Sequence, residues 1–325
     1  MKKYDISVYF AANYLCTGSF YDSFEYWWLL KQRYRDVGFI IMAPPEVRKE
    51  TIYRAICDKY DVSQFGDSLL EDGDVHIFNR EDYKNKNKIV PVISDLLFIP
   101  SGSSAGWMYY NNILISKKKV ITIWELPNTH LYMRGFDIPR PNVLMLYDPR
   151  VFGESSSCLN PRDDYPHRHY FRAIYFDIMR KQVTVSRESC LLNMVTDHKC
   201  YEPNDLIGIM NQYQNIKHWT IVTKDKWWKK YKVMADTNIE VLLSPVDDYM
   251  NKFDTLLYLP SLRELDPSPR LLPEAKYFGK EVIYHDFDNA PKDGGYWRYF
   301  DMLLNWNDLF LDQDDPIFEI IEDWC

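Results

Sequence analysis

The chain has 325 residues, 46% of them apolar and 26% charged, with a formal net charge of −8. That length suits two domains better than one, the balance excludes a disordered chain, and the acidic excess excludes a protein that coats nucleic acid over its whole surface. A local basic groove stays open. Cys16, Cys57, Cys158, Cys190, Cys200 and Cys325 are scattered with no C-x-x-C spacing, so neither a disulfide framework nor a zinc site is expected. The start, MKKYDISVYFAANYL, has neither the apolar core nor the cleavage site of a signal peptide. No run reaches the roughly eighteen apolar residues of a membrane span, so the expectation is a cytoplasmic protein without a membrane partner.

In chain order, the N-terminal half opens with a short β-rich run at 6–10, a loop containing Gly18, and an aromatic segment, 20–33, long enough to be a helix. A strand at 39–42 follows, and Pro44 and Pro45 introduce a helix over 46–60, since proline suits a first turn. Apolar runs at 95–99, 120–124 and 143–146 end in polar or turn residues, as buried parallel strands do. The stretch 151–168, rich in serine, proline and charge, breaks the pattern and reads as a linker or surface excursion. In the second half, strands at 191–196, 220–223, 240–243, 255–259 and 281–285 alternate with helices at 204–213, 225–234, 247–252 and 269–278, and a helical tail starts near Tyr296.

This alternation predicts an α/β chain of two Rossmann-like domains facing each other across a cleft. The expected divisions are an acceptor-side domain over 1–170, a linker over 171–189, a donor-side domain over 190–295, and C-terminal helices over 296–325 packing back on the first domain. The halves share no residue-by-residue repeat. In open α/β sheets, ligands sit at the carboxyl ends of the strands, so the loops there carry the candidate site.

The stretch DPSPRLLPEAKYFGKEVIYH, 266–285, holds the most informative loop. Ser268 is a suitable N-cap and Pro269 a suitable first helical residue, so a helix opening at that point would direct free amides and partial positive charge at an anion. Arg270 in the first turn is placed against the helix dipole, where it adds a fork of donors matched to phosphate oxygens. Glu274, one turn on, can accept hydrogen bonds from vicinal ribose hydroxyls. The alternative is a solvent-exposed i,i+4 ion pair worth roughly 0.3 kcal/mol.

The arrangement of the second half around this stretch resembles the donor domain of GT-B fold glycosyltransferases. That resemblance implies a basic residue on a nucleotide diphosphate and a glutamate on its ribose. The segments SDLLFIPSGSSAGW and SKKKVITIWELPNTH resemble successive strands of phage enzymes that glucosylate hydroxymethylated cytosine in DNA. On that resemblance, Glu125 takes the position of the general base, held in the family by an aspartate. The acceptor it implies is a hydroxymethylated pyrimidine flipped out of double-stranded DNA.

Other candidates come from position alone. Asp22 and Asp148 are reserve bases, each also suited to capping a helix or a turn. Gly18 follows the first strand, where a missing side chain lets backbone amides approach a sugar or phosphate. Thr196, Lys199, Thr223 and Lys224 end the first two strands of the second domain on the donor side, and solvated loop residues are the alternative. His198 and the HRH run at 167–169 lack partners at metal-ligand spacing. No cofactor is expected beyond a nucleotide sugar as co-substrate, UDP-linked by preference, and no carboxylate pair is spaced as a magnesium clamp, so a metal is not required. The basic stretches YKNKNK and SKKK are candidates for DNA contact, whereas KDKWWKKYK has the spacing of an amphipathic helix that buries its rings and extends its lysines outward. The competing readings are a transferase acting on a glycan, lipid or small molecule, and a nucleotide-binding protein without catalysis.

Overall fold

The structure, a computed structural model, describes residues 3–11, 18–44, 47–61, 63, 65, 69, 73–79, 92–100, 114–124, 140–147, 166–170, 188–195, 200–244, 246, 249–259, 270–286 and 314–324. The chain divides into two compact units: Met1–Cys57, Asp61–Met179 and Trp297–Cys325 form the first, and Asp58–Tyr60 with Arg180–Tyr296 the second.

The first unit is built on a parallel sheet of seven strands, β1 (Lys3–Ala11), β2 (Val37–Ala43), β3 (Val75–Asn79), β4 (Val92–Ile99), β5 (Leu114–Trp124), β6 (Val143–Tyr147) and β7 (His167–His169). Their order is β3-β2-β1-β4-β5-β6-β7. β1 lies in the middle, with Ile6 opposite Val37 of β2 and Leu96 of β4. Helices α1 (Gly18–Arg33) and α2 (Lys49–Lys59) make the crossovers from β1 to β2 and from β2 to β3. Central strands of such a sheet are covered on both faces and therefore read as unbroken apolar runs; every residue of β2 is buried.

Two strands escape that pattern. β3 is only half-buried and β7 is exposed along its length, because both lie at the edges of the sheet, where one side needs no apolar cover. His167–His169 therefore belongs to the first sheet and pairs in parallel with Met145–Tyr147, which corrects the linker expected over 151–168 at its C-terminal end. The lysines of SKKK likewise lie inside β5 rather than ahead of it.

A buried hydrogen-bond chain fastens the C-terminal segment to the first unit. Tyr26 on α1 donates to the Tyr170 hydroxyl at 2.7 Å, and Tyr170 donates to Asp315 Oδ1 at 2.8 Å. The same oxygen accepts the Ile317 N–H at 2.8 Å at the start of α6 (Ile317–Trp324). Burial first, then Tyr26 and Asp315 beside it, push the Tyr170 hydroxyl well above its usual range, which keeps it protonated as a donor. Outside this chain, Arg33 reaches Glu322 at 2.7 Å and covers the Phe318 ring.

The second unit has five parallel strands, β8 (Ser189–Met194), β9 (His218–Thr223), β10 (Ile239–Leu243), β11 (Thr255–Tyr258) and β12 (Glu281–Tyr284), in the order β10-β9-β8-β11-β12. Helices α3 (Pro203–Met210) and α4 (Asp225–Lys232) lead outward from β8 to β10, and α5 (Leu271–Tyr277) connects β11 to β12. Right-handed crossovers in opposite directions place α5 on the other face of the sheet from α3 and α4. The order reverses between β8 and β11, which is the switch point where doubly wound sheets bind ligands. Both units are thus Rossmann-like α/β sheets.

α5 ends on Gly279 at φ +70°, whose N–H donates to the Lys276 carbonyl while Lys280 N–H donates to that of Ala275. This closure favours glycine, since a left-handed backbone costs other residues energy. The next residue, Lys280, is 94% buried, with its ammonium 5.6 Å from the centroid of the Phe253 ring and no hydrogen-bond partner among the described residues. Burial lowers its pKa against a smaller opposing effect of Asp254. The unfolded chain therefore holds this proton at pH values where the folded chain sheds it more readily, so the site costs stability at neutral pH and recovers it as pH rises toward the ordinary lysine range. Lys280→Met keeps the stem and removes the charge, and is expected to stabilise the protein by about 1 kcal/mol at pH 7. Thermal denaturation at pH 7 and near pH 10 would show the gain shrinking at the higher pH; a loss of stability at both would refute the account.

Candidate functional site

Among the described residues of the second unit, Arg270 and Glu274 on and beside α5 are buried charged groups. Arg270 Nε donates to Glu274 Oε1, and Lys59 Nζ stands 2.5 Å from the same oxygen. Arg270 is 8% and Glu274 3% exposed, so the pair is not the solvated i,i+4 contact that spacing alone allowed. Burial pushes the Glu274 carboxyl up, but Lys59 and Arg270 outweigh it and hold the group below the usual carboxylate range. Glu274 is therefore an anion at neutral pH, beside two cations.

Local structure explains why both side chains face inward. Leu272, Pro273 and Ala275 are buried on α5 together with Glu274, so the helix is covered over most of its turn rather than on one stripe. The helix starts at Leu271, two residues later than the sequence suggested, with Arg270 in helical conformation at its N-cap and no side-chain cap bond. Pro273 has no N–H, so the expected cradle of free amides is thinner than a regular first turn offers. Side-chain cations, rather than the helix end, supply the positive charge. Ser268 lies outside the described residues.

The structure places four of the sequence candidates on elements that end or follow strands of the second unit. Arg270 and Glu274 follow β11, one of the two strands flanking the switch point. Thr223 ends β9, fully buried, with its hydroxyl donating to the Met194 carbonyl at 3.3 Å; this bond ties β9 to the end of β8. Lys224, half-buried, is the N-cap residue of α4. Thr196 and Lys199, which follow β8, lie outside the described residues.

In the first unit, Gly18 is the opening residue of α1 and Asp22 is buried within its second turn. Both stand on the element that follows β1, which flanks the first sheet's own switch point with β4. Glu125 directly follows Trp124, the last residue of β5, and Asp148 directly follows Tyr147, the last of β6, but both side chains lie outside the described residues. Lys59 is the participant that sequence reasoning missed. It is the last residue of α2, 215 positions from Glu274, and nothing in the order of residues signals that meeting. Among the described residues, no group of three or more His, Cys, Asp or Glu side chains is placed to hold a metal ion.

Neither a protein-family model nor a curated protein sequence matches the chain. Solved structures do. The chain is similar to Anabaena HepE in complex with UDP-glucose at 9% identity, over 87% of this chain and 80% of that one, with a TM-score of 0.49. It is similar to a mutant O-GlcNAc transferase of Thermobaculum terrenum at 14% identity, covering 95% of this chain and 57% of that one, with a TM-score of 0.43. A third similarity is to E. coli ADP-heptose LPS heptosyltransferase II, at 11% identity over 94% of this chain and all of that one, with a TM-score of 0.33. Likeness at this level gives no residue a role.

Glu274→Gln leaves the buried Arg270 and the half-buried Lys59 around a neutral amide. It is expected to destabilise the protein by about 3–5 kcal/mol at pH 7, the usual result of breaking a buried ion pair from one side. Because the folded-state pKa of Glu274 is depressed, its contribution is present above the unfolded value near 4.5 and is lost as pH falls through the folded value. Urea denaturation followed from pH 7 down to pH 3 would show that share of acid sensitivity missing from the variant. Equal stability of the two proteins at pH 7 would contradict a buried ionised carboxylate.

Proposed function

We propose that the chain is a GT-B type glycosyltransferase that binds a nucleoside diphosphate sugar, UDP-linked in the first instance, on its second unit. The observation that carries this reading is the charge cluster beside the switch point of a doubly wound sheet: Arg270 and Glu274, buried at the start of the helix that follows β11, with the half-buried Lys59 from the end of α2. A diphosphate leaving group needs its growing charge offset as the glycosidic bond breaks, and fixed cations in a poorly solvated place do this with little reorganisation. Arg270 and Lys59 have the charge for that task. Glu274 Oε1 already receives both cations, so a ribose hydroxyl would donate to Oε2.

The acceptor must be a hydroxyl deprotonated as it attacks the anomeric carbon, with the nucleoside diphosphate departing with the bonding electrons. Glu125, at the end of β5, is the base proposed for this step, with Asp22 and Asp148 in reserve. The resemblance of the β4 and β5 segments to phage DNA-base glucosyltransferases supports a hydroxymethylated pyrimidine in DNA as that acceptor. β4 and β5 are adjacent parallel strands in the interior of the first sheet. A lipid-presented hydroxyl is the second reading, favoured by the lysine-rich face of α4 considered below.

Incubation with UDP-sugars and three acceptor sets, hydroxymethylcytosine DNA, unmodified DNA and a lipid extract, tests the proposal through released UDP and product mass. Sugar transfer is expected with Arg270→Ala at least about 100-fold slower than the wild type, on the scale of losing one charge-stabilising donor. Glu125→Gln is expected to abolish transfer while UDP still raises the melting temperature. Transfer in the presence of EDTA is expected to persist. Equal behaviour of modified and unmodified DNA would remove the DNA acceptor, and an absence of transfer to every acceptor would remove the transferase reading.

A further inference from the structure

α4 and the residue before it place five lysines and one aspartate in nine residues, 224–232, of a chain whose net charge is −8. Lys226, Lys229 and Lys232 are exposed and recur at every third position, so they run along one side of the helix. Trp227, Trp228 and Tyr231 pack toward the core of the second unit. The ammonium groups lie over these rings: Lys226 is 4.7 Å and Lys230 5.3 Å from the Trp227 centroid, and Lys232 is 5.6 Å from that of Trp228. Lys230 is also held by Glu202 at 2.8 Å, and Tyr231 donates to the Tyr201 carbonyl at 2.8 Å, which joins α4 to the start of α3. Apolar side chains beside α4 and on α3 are also exposed. Val233, directly after α4, is 79% exposed, and Ile207 on α3 is 42% exposed.

We propose that this face of the second unit docks on a membrane surface rich in anionic lipid headgroups. Charge complementarity carries the choice of partner: a dense lysine row on an acidic protein is attracted to a negative leaflet, and each lysine near such a surface strengthens binding roughly fivefold. The composition separates lipid from nucleic acid. The segment has no arginine, the side chain whose planar fork grips phosphates in pairs. Its tryptophan faces are covered by lysine ammonium groups rather than open as platforms for bases. Exposed Val233 and Ile207 add the apolar component that interfacial helices insert among headgroups. The acidic groups nearby are Asp225, Glu202, Asp205, Asp236 and Glu240; Glu202 is paired with Lys230, and Asp236 accepts the N–H groups of Asn238 and Ile239 within its own turn.

This inference goes beyond the transferase reading and is tested without donor or turnover. The full chain is sedimented with vesicles of phosphatidylcholine alone and with vesicles in which about one quarter of the lipid is phosphatidylglycerol, at low and high salt. Binding is expected only to the anionic vesicles, with release at high salt. Lys226→Gln/Lys229→Gln/Lys232→Gln, all surface changes, should leave circular dichroism unchanged, lower the melting temperature only slightly through the lost contacts over Trp227 and Trp228, and weaken binding on the order of 100-fold. Val233→Asp should weaken it further. Equal sedimentation with both vesicle types, or an unaltered affinity in the folded triple variant, would overturn the proposal. Lysine-dependent binding of duplex DNA without vesicle binding would overturn it in favour of a nucleic-acid surface.

Discussion

A carboxylate that is 3% exposed cannot stand alone in a protein interior; it must be paired or protonated. Glu274 is paired, and twice, by Arg270 from the same helix and by Lys59 from the end of α2. That requirement fixes the position of α5 against a residue more than two hundred positions earlier in the chain. Polar order of this kind is costly to form and costly to break, so it specifies one arrangement more strongly than it adds net stability.

The two sheets place their strand ends by the same logic. In each, the first strand is central and the chain winds outward on one side before returning to the other, which leaves one gap at the carboxyl ends. In the second unit, β8 and β11 flank that gap, and the bond from Thr223 to the Met194 carbonyl holds the neighbouring ends of β9 and β8 together. In the first unit, the Tyr26–Tyr170–Asp315 chain fastens the returning C-terminal segment onto α1 and the strand-end region after β7. Rigid sheets with charged residues following their strand ends are the physical basis of the transferase proposal.

Much of this architecture was legible in the sequence. β1, β2, β4, β5, β6, β8, β9 and β11 were readable in whole or part because central parallel strands are largely covered on both faces, and the edge strands β10 and β12 were readable from their alternation with helices. β3 and β7 were not, since an edge strand such as His167–His169 needs no apolar residues and is made by pairing with β6 alone. The start of α5 was placed too early because Ser268-Pro269 is a strong local signal, while the helical bonds begin with Glu274 N–H to the Arg270 carbonyl. Arg270 and Glu274 were legible as a pair from their i,i+4 spacing and from their place after the fourth strand of the second half. Their burial, and Lys59 as the second cation, were invisible, because contacts across 215 positions are set by the folded chain rather than by local pattern. Glu125, Asp148, Thr196, Lys199 and Ser268 were read from sequence alone and lie outside the described residues.

The transferase proposal stands or falls on the guanidinium of Arg270 and the ammonium of Lys59 receiving a diphosphate in the second unit. A crystal structure with bound UDP decides this. Phosphate oxygens are expected within hydrogen-bond reach of Arg270 or Lys59, with the ribose turned toward Glu274. UDP held elsewhere, with the Lys59–Glu274–Arg270 cluster touching none of it, would refute the proposal.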